Sequence, residues 1–394
     1  MNNYKQFAVD FDKIKPGHKI LVRADLNLTL SGNMLDSCYR ATRIAPLIKR
    51  LLKLGAHVTL TTHLGRPKVG FNELLSTRQI APVLREVFGV DIFFNSAWPF
   101  SKKLDLKNVV VLTENVRFLQ GEQENDASLA KEMAKDYDMF ILEAFGTAHR
   151  NHASNFGIID HCDSYLGPLF LEELRMVNTV MNFKQPKIAV IGGGKNSSKL
   201  RYMKKLVEDF QMILLGGEMA NLFMASQGYN VGKASFSQEL IQAADKIYKL
   251  SKRVNHAEIL FPQDLWLKGP TGELSLEAVP ISNFNCDIVD IGPITSKHYA
   301  KIINKAGGVL QNGPMGVIEN VGCFEGTRSI LDAVSNSPAE CILGGGDTAK
   351  SIRCSGLDLS KFGAISTGGG ALLHAVTNGS FDVLDKFKAC SCTD

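Results

Sequence analysis

The chain has 394 residues, more than one ordinary hydrophobic core accommodates, and this length predicts two or three domains. Hydrophobic residues make up 45% and charged residues 21%, a balance that excludes disordered and fibrous classes. The net charge of +4 is too small an excess for a nucleic-acid polycation, so no nucleic-acid partner is expected.

No apolar run reaches the roughly 18–20 residues that span a bilayer, so no membrane partner is expected. The first fifteen residues, MNNYKQFAVDFDKIK, carry acids and no apolar stretch of signal-peptide type. Cysteines stand at Cys38, Cys162, Cys286, Cys323, Cys341, Cys354, Cys390 and Cys392, with no CxxC among them. That usage argues against a disulfide framework or a zinc site and for a reducing, cytoplasmic location.

Short apolar strands alternate with helical patterns along the whole chain, the rhythm of βαβ units and parallel sheets. The first strand, KILV, runs into Arg23, Asp25 and Asn27. A helix over 41–54 follows, with Ile44, Leu47, Ile48, Leu51 and Leu52 at helical spacing and Gly55 as its stop. HVTLTT leads into His63, Leu64, Gly65 and Arg66. NVVVLT leads into Glu114, Asn115 and Arg117, and DMFIL into Glu143, Gly146, His149 and Arg150. In a parallel sheet every one of these positions falls at the same edge. One arginine after a strand reads as a surface ion pair. Four with two histidines read as a site for a small polyanion, because guanidinium forks match phosphate and carboxylate.

The long pattern GPLFLEELRMVNTVMNF ends before Lys184, Gln185 and Pro186, which marks a linker. Beyond it the residues after strands are glycines. KIAVI precedes Gly192–Gly194 and then Lys195 and Lys199. QMILL precedes Gly216 and Gly217, GVLQ precedes Asn312 and Pro314, ECIL precedes Gly344, Gly345, Gly346, Asp347 and Thr348, and GAIS precedes Thr367 and Gly368–Gly370. Of 35 glycines, ten lie in 1–185 and twenty-four in 186–374. This shift separates two domains with different work. Glycine lets backbone N–H groups close on phosphate oxygens, and a following helix N-terminus adds positive potential. The clusters are not a Walker A loop, since Asn196 follows Lys195; the first lacks the GxGxxG spacing of a dinucleotide fold, and Gly344–Ala349 fits only a loose GxGxxA. Asp347 has the chemistry of a Mg²⁺ ligand beside nucleotide phosphates.

RADLN, HLGRP, ENVRF, AFGTAHR, NGPMG, GGGDT and STGGG, in this order from Ile20 to Gly370, resemble the signature stretches of the phosphoglycerate kinase family. The resemblance implies two doubly wound, Rossmann-like parallel-sheet domains joined by a hinge helix. The substrate domain would comprise 1–170 with 376–394, the linker 171–186 and the nucleotide domain 187–375. It also implies reversible transfer of a phosphoryl group between 1,3-bisphosphoglycerate and ADP, with Mg²⁺, in a monomer of glycolysis and gluconeogenesis. By the same resemblance Asp25 and Asn27 meet the glycerate end, and His63, Leu64, Gly65, Arg66, Arg117 and Arg150 hold the non-transferred phosphate. Arg40, Lys195 and Lys199 would stabilise the migrating group. Gly192, Gly216, Gly217, Asn312, Pro314, Glu319 and Gly344–Thr348 would hold the nucleotide, with Glu319 on the ribose and Asp347 on the metal.

Five positions depart from the family pattern: Ser198 for Asp, Glu218 for Gly, Glu143 for Asp, Gln311 for Trp and His374 for Glu. Glu218 places a charge near the base. The alternative reading is therefore a non-catalytic homologue that binds nucleotide or phosphometabolite.

Overall fold

The computed structural model describes residues 2–28, 38–100, 106–194, 196–318 and 324–390. It divides into two compact units, residues 1–175 with 378–394 and residues 176–377.

The first unit carries strands β1 (Lys19–Ala24), β2 (His57–Thr61), β3 (Asp91–Asn95), β4 (Val109–Thr113), β5 (Met139–Glu143) and β6 (Ser164–Leu166). They form one parallel sheet in the order β3-β4-β2-β1-β5-β6. Helices α1 (Tyr39–Lys53), α2 (Ala81–Phe88) and α3 (Ala127–Ala134) lie between strands, and α4 (Pro168–Met181) follows β6. The central strands read as continuous apolar runs because helices cover both faces. Ile20, Val22, Val58, Leu60, Val110, Leu112 and Ile141 are buried in one core with the apolar stripe of α1, including Ile44, Leu47, Ile48 and Leu51. Each such side chain contributes roughly 1.5–3 kcal/mol by burial.

The second unit begins with β7 (Lys187–Ile191), α5 (Asn196–Asp209), β8 (Met212–Leu215), α6 (Gly217–Ser226), α7 (Gln238–Ser251) and β9 (Glu258–Leu260). After β10 (Asp264–Lys268), β11 (Leu274–Ala278) and β12 (Asp287–Ile291) come α8 (Pro293–Ile303), β13 (Gly308–Asn312), α9 (Glu325–Ser335), β14 (Glu340–Gly344), α10 (Gly346–Cys354) and β15 (Ala364–Ser366). Its main sheet is parallel, ordered β15-β14-β13-β7-β8-β9. β11, β10 and β12 form a separate antiparallel sheet over a small core of Met224, Val231, Leu265, Leu267, Ile281 and Cys286. The strand–helix rhythm of the sequence carries no sign of this excursion.

Helix α11 (Gly369–Asn378) closes the second unit, and α12 (Asp382–Cys390) belongs to the first. There Phe381 meets Phe145 edge-on at 5.4 Å between ring centroids, and Asp382 accepts a hydrogen bond from Asn151 at 2.8 Å. Helix α4 is a single helix that runs through the division at Arg175.

Both main sheets reverse direction at one point, between β1 and β5 in the first unit and between β7 and β13 in the second. Crevices at the carboxyl ends of such strands are where open α/β sheets bind ligands.

Candidate active site

In the first unit the loops after β1, β2, β4 and β5 bring the cations together. Asp25 accepts a hydrogen bond from Arg40 Nη1 at 3.2 Å, and its Oδ2 lies where any Cβ at position 146 would stand, so Gly146 is required. Asn27 Oδ1 accepts from the Gly65 N–H at 2.8 Å, and the Gly65 carbonyl accepts from Arg117 Nη1. Gly65 has φ +59°, and a Cβ there would meet Leu75 at 2.7 Å. Leu64 is buried, and its carbonyl accepts from Asn115 Nδ2 at 2.8 Å.

The cluster is electrostatically strained. His63 is 3% exposed, and burial, with the charges of Arg23, Arg117, Arg150 and Arg40, holds its imidazole well below the ordinary value and therefore neutral. Arg117 is equally buried, and burial together with Arg150 and Arg23 brings its guanidinium down to about 10. Its Nε has no hydrogen-bond partner among the described residues. A bound anion relieves both conditions.

Arg66 is exposed and makes no hydrogen bond or ion pair among the described residues. Arg150 is half-buried, and its carbonyl, with that of Thr147, accepts from Asn155 Nδ2 at 3.0 Å. Arg23 is fully buried and tied down: Nε donates to Ser154 Oγ at 2.9 Å, which donates to Glu122 at 2.6 Å. Asn155, Ser154 and Glu122 hold the cluster in place, and no sequence spacing singles them out. Of the strand-end acids, Glu114 accepts from Ser76 Oγ and the N–H groups of Thr77 and Asn115. Glu143 accepts from Leu169 and Phe170 at the start of α4. Both are scaffold.

In the second unit the glycine loops interlock at the reversal point. Gly192 donates to the Asn312 carbonyl at 3.1 Å, Gly193 to Pro314 at 2.6 Å, Gly216 to Ile191 at 3.0 Å and Gly217 to Met315 at 2.7 Å. Gly193 and Gly217 have φ +65° and +53°, and backbone atoms of Gly193 lie within 3.3 Å of a Cβ placed on Gly217. Lys199 Nζ donates to the carbonyls of Gly192 and Asn312. Thr348 Oγ1 accepts from Gly313 N–H and donates to the Gly344 carbonyl, and Thr327 Oγ1 accepts from Met315 and Gly316.

These loops frame a cavity of about 260 Å³ lined by Gly193, Gly194, Gly217, Glu218, Asn221, Pro314 and Asp347, with Leu265, Ile288 and Val289 as apolar wall. Gly192, Gly216, Asn312, Gly344, Gly345, Gly346 and Thr348 do not line it. Asp347 stands exposed in the first turn of α10. Asp290, also on the wall, is buried, and burial pushes its carboxyl up to about 7 although Gly326 and Ile291 donate to it. Lys195 and Glu319 lie outside the described residues.

A buried cation cluster on one parallel-sheet unit and a glycine-walled cavity on another define a two-unit α/β phosphate-handling protein. The chain belongs to the phosphoglycerate kinase family, whose profile, described as Phosphoglycerate kinase, matches residues 11–378. Curated phosphoglycerate kinases of Legionella pneumophila strain Corby and Desulfovibrio desulfuricans are 36% and 35% identical to it. The first covers 95% of either chain, the second 91% of this chain and 92% of its own. The solved phosphoglycerate kinase of Coxiella burnetii superposes with a TM-score of 0.76 at 30% identity over 97% of this chain and 99% of its own. That of Pyrococcus horikoshii superposes at 0.83 with 27% identity, over 96% and 97%.

Proposed function

We propose that the chain is an active phosphoglycerate kinase, moving the 1-phosphoryl group of 1,3-bisphosphoglycerate to ADP and, in reverse, the terminal phosphoryl group of ATP to the carboxylate of 3-phosphoglycerate. The observation that carries this reading is Arg117 Nε, without a hydrogen-bond partner among the described residues, beside a neutral, buried His63, a charge arrangement that a phosphate completes. In the reverse direction a carboxylate oxygen attacks the terminal phosphorus and the bond to the ADP oxygen breaks. Charge spreads over three equatorial oxygens, so positioning and electrostatics do the catalysis and no enzyme nucleophile is required.

Asp25 and Asn27 take the glycerate end, and His63, Gly65, Arg66, Arg117 and Arg150 its phosphate. Arg40, Lys195 and Lys199 carry the charge of the migrating group. Glu319 belongs to the ribose. Among the described residues no three His, Cys, Asp or Glu side chains gather as a metal cage. An exposed carboxylate on this cavity suits Mg²⁺ that arrives on the nucleotide, so Asp347 would hold it. When bound, the ion neutralises charge on phosphate oxygens. A monomer and a cytoplasmic location belong to the same reading. Among the described residues no helix is long and apolar enough to cross a membrane.

The test is phosphoryl transfer from nucleotide triphosphate to 3-phosphoglycerate by the purified chain, with Mg²⁺ and with excess EDTA. Turnover abolished by EDTA and by Lys195→Ala supports the assignment. Binding of both ligands without turnover replaces it with the non-catalytic homologue.

A further inference from the structure

The second unit holds another cavity, of about 550 Å³, lined by residues of β10, β12, α8 and α9. No described residue lines both this cavity and the glycine-walled one. Trp266, Ile291, Pro293 and Ala300 give it apolar surface, and Lys297, Lys301 and Asn304 bring polar groups from α8 and its C-cap. Lys297 and Lys301 stand four residues apart, hence side by side on one face of the helix. Both are exposed, and neither makes a hydrogen bond or ion pair among the described residues. Two like charges at that spacing repel, and an anion between them turns the repulsion into attraction. The indole N–H of Trp266 and the side-chain amide of Asn304 likewise have no hydrogen-bond partner among the described residues. Glu325, an acid on the lining, has Arg328 Nη1 at 3.9 Å, which leaves the two lysines in excess. A ligand that meets these groups has a flat apolar body for the indole and an anionic head for the lysines, the make-up of an aromatic carboxylate.

The same cavity adjoins parts that build the nucleotide cavity. Trp266 and Ile291 are the chain neighbours of Leu265 and Asp290, which line the nucleotide cavity. Gly326, on the wall of the second cavity, donates to Asp290 Oδ2 at 2.7 Å. The next residue, Thr327, accepts through Oγ1 from the N–H groups of Met315 and Gly316 at 3.0 and 3.1 Å, and those two residues line the nucleotide cavity. One turn of α9 therefore reaches both.

We propose that this cavity is a second ligand site, one that takes an aromatic carboxylate, and that its occupation changes nucleotide affinity through the first turn of α9. The second half of the inference rests on the phosphoryl-transfer reading above, and the first half does not.

Calorimetric titration of the purified full chain with 2-naphthoate tests the site, with 2-naphthalenemethanol (the ring without the charge) and acetate (the charge without the ring) as comparisons. The carboxylate is expected to bind about tenfold or more tightly than either. Lys297→Ala and Lys301→Ala together should weaken 2-naphthoate about tenfold or more. Melting temperature and basal phosphoryl transfer should stay unchanged, because both side chains are exposed and lie outside the residues assigned to the reaction. Binding that persists in the double variant, or equal binding of the alcohol or of acetate, overturns the site. MgADP is then titrated with and without saturating 2-naphthoate. Its dissociation constant is expected to shift about fivefold or more, by the same factor as the reverse titration shows, and to stay put in the double variant. An unchanged MgADP affinity overturns the coupling alone. A chain that binds no MgADP overturns both the coupling and the nucleotide reading, whereas the 2-naphthoate titration decides the site by itself.

Discussion

Arg40 Nη1 lies 3.2 Å from Asp25 Oδ1, an ion pair that ties the first turn of α1 to the loop after β1. The same nitrogen donates to the Asn27 carbonyl at 3.2 Å, and Asn27 in turn holds the Gly65 N–H. One guanidinium therefore braces two of the loops assigned to substrate while remaining 20% exposed itself.

If Arg40 stabilises charge that develops on the migrating group, Arg40→Ala should lower kcat by about 10²–10³-fold, the usual cost of losing one preorganised charge donor. The KM for nucleotide should stay within a few-fold, because that ligand is assigned to the other unit. Steady-state kinetics checks this, and a kcat retained within threefold would remove Arg40 from the role.

Arg66 and Arg117 are both assigned to the substrate phosphate, yet their surroundings differ. Arg66→Ala removes an exposed, unencumbered side chain, so it should raise the KM for 3-phosphoglycerate about tenfold or more and leave the melting temperature alone. Arg117→Ala empties a buried site that holds the Gly65 carbonyl and should lower both affinity and melting temperature. Equal loss of stability in the two variants would contradict the burial argument.

Glu143 is 2% exposed, and burial, reinforced by the nearby acids Glu173 and Glu172, raises its carboxyl to about 7 despite the α4 N–H groups it accepts. The unfolded chain releases that proton near the ordinary value of about 4.3. The native state thus binds more protons through the interval, so the contribution of Glu143 is full below about pH 4 and is lost as pH rises through 7. Melting curves of wild type and Glu143→Gln between pH 5 and 8 should show the wild type's relative stability falling by on the order of 1–3 kcal/mol. A pH-independent difference would mean that Glu143 is ionised throughout.

Gln311 is fully buried on β13, and neither pole of its amide has a partner among the described residues. A buried unsatisfied amide costs about 1–3 kcal/mol, and an apolar side chain of similar length does not. Gln311→Met should therefore raise stability by about 1 kcal/mol or more in denaturant titration, with activity unchanged. Destabilisation would show that the amide is satisfied within the native core.

Much of the architecture was legible from local pattern. Apolar runs such as KIAVI and HVTLTT became β7 and β2, and the stripe from Ile44 to Leu52 became the buried face of α1. The crowding of arginines and glycines at sheet edges followed too, because parallel strands place every following loop at the same end whatever their order. The three-stranded antiparallel sheet was not legible, since β10 is mostly buried, β11 is mostly exposed, and neither they nor β12 show an alternating burial pattern.

The sequence by itself determined which residue types stand after each strand, and with them the chemistry of the two ligands. Only the tertiary structure decided which of those residues are tied into the scaffold. Arg23 and Arg117 look alike in the chain, but Arg23 is tied to Ser154, 131 residues away, while Arg117 keeps a buried nitrogen without a partner among the described residues. Glu114 and Glu143 hold loops and a helix terminus, whereas Glu218 faces a cavity with Asn221. Periodicity reports how a segment meets its core, within a few turns or residues. Desolvation and hydrogen-bond partnership depend on groups far away in sequence, and those decide how each charge is held.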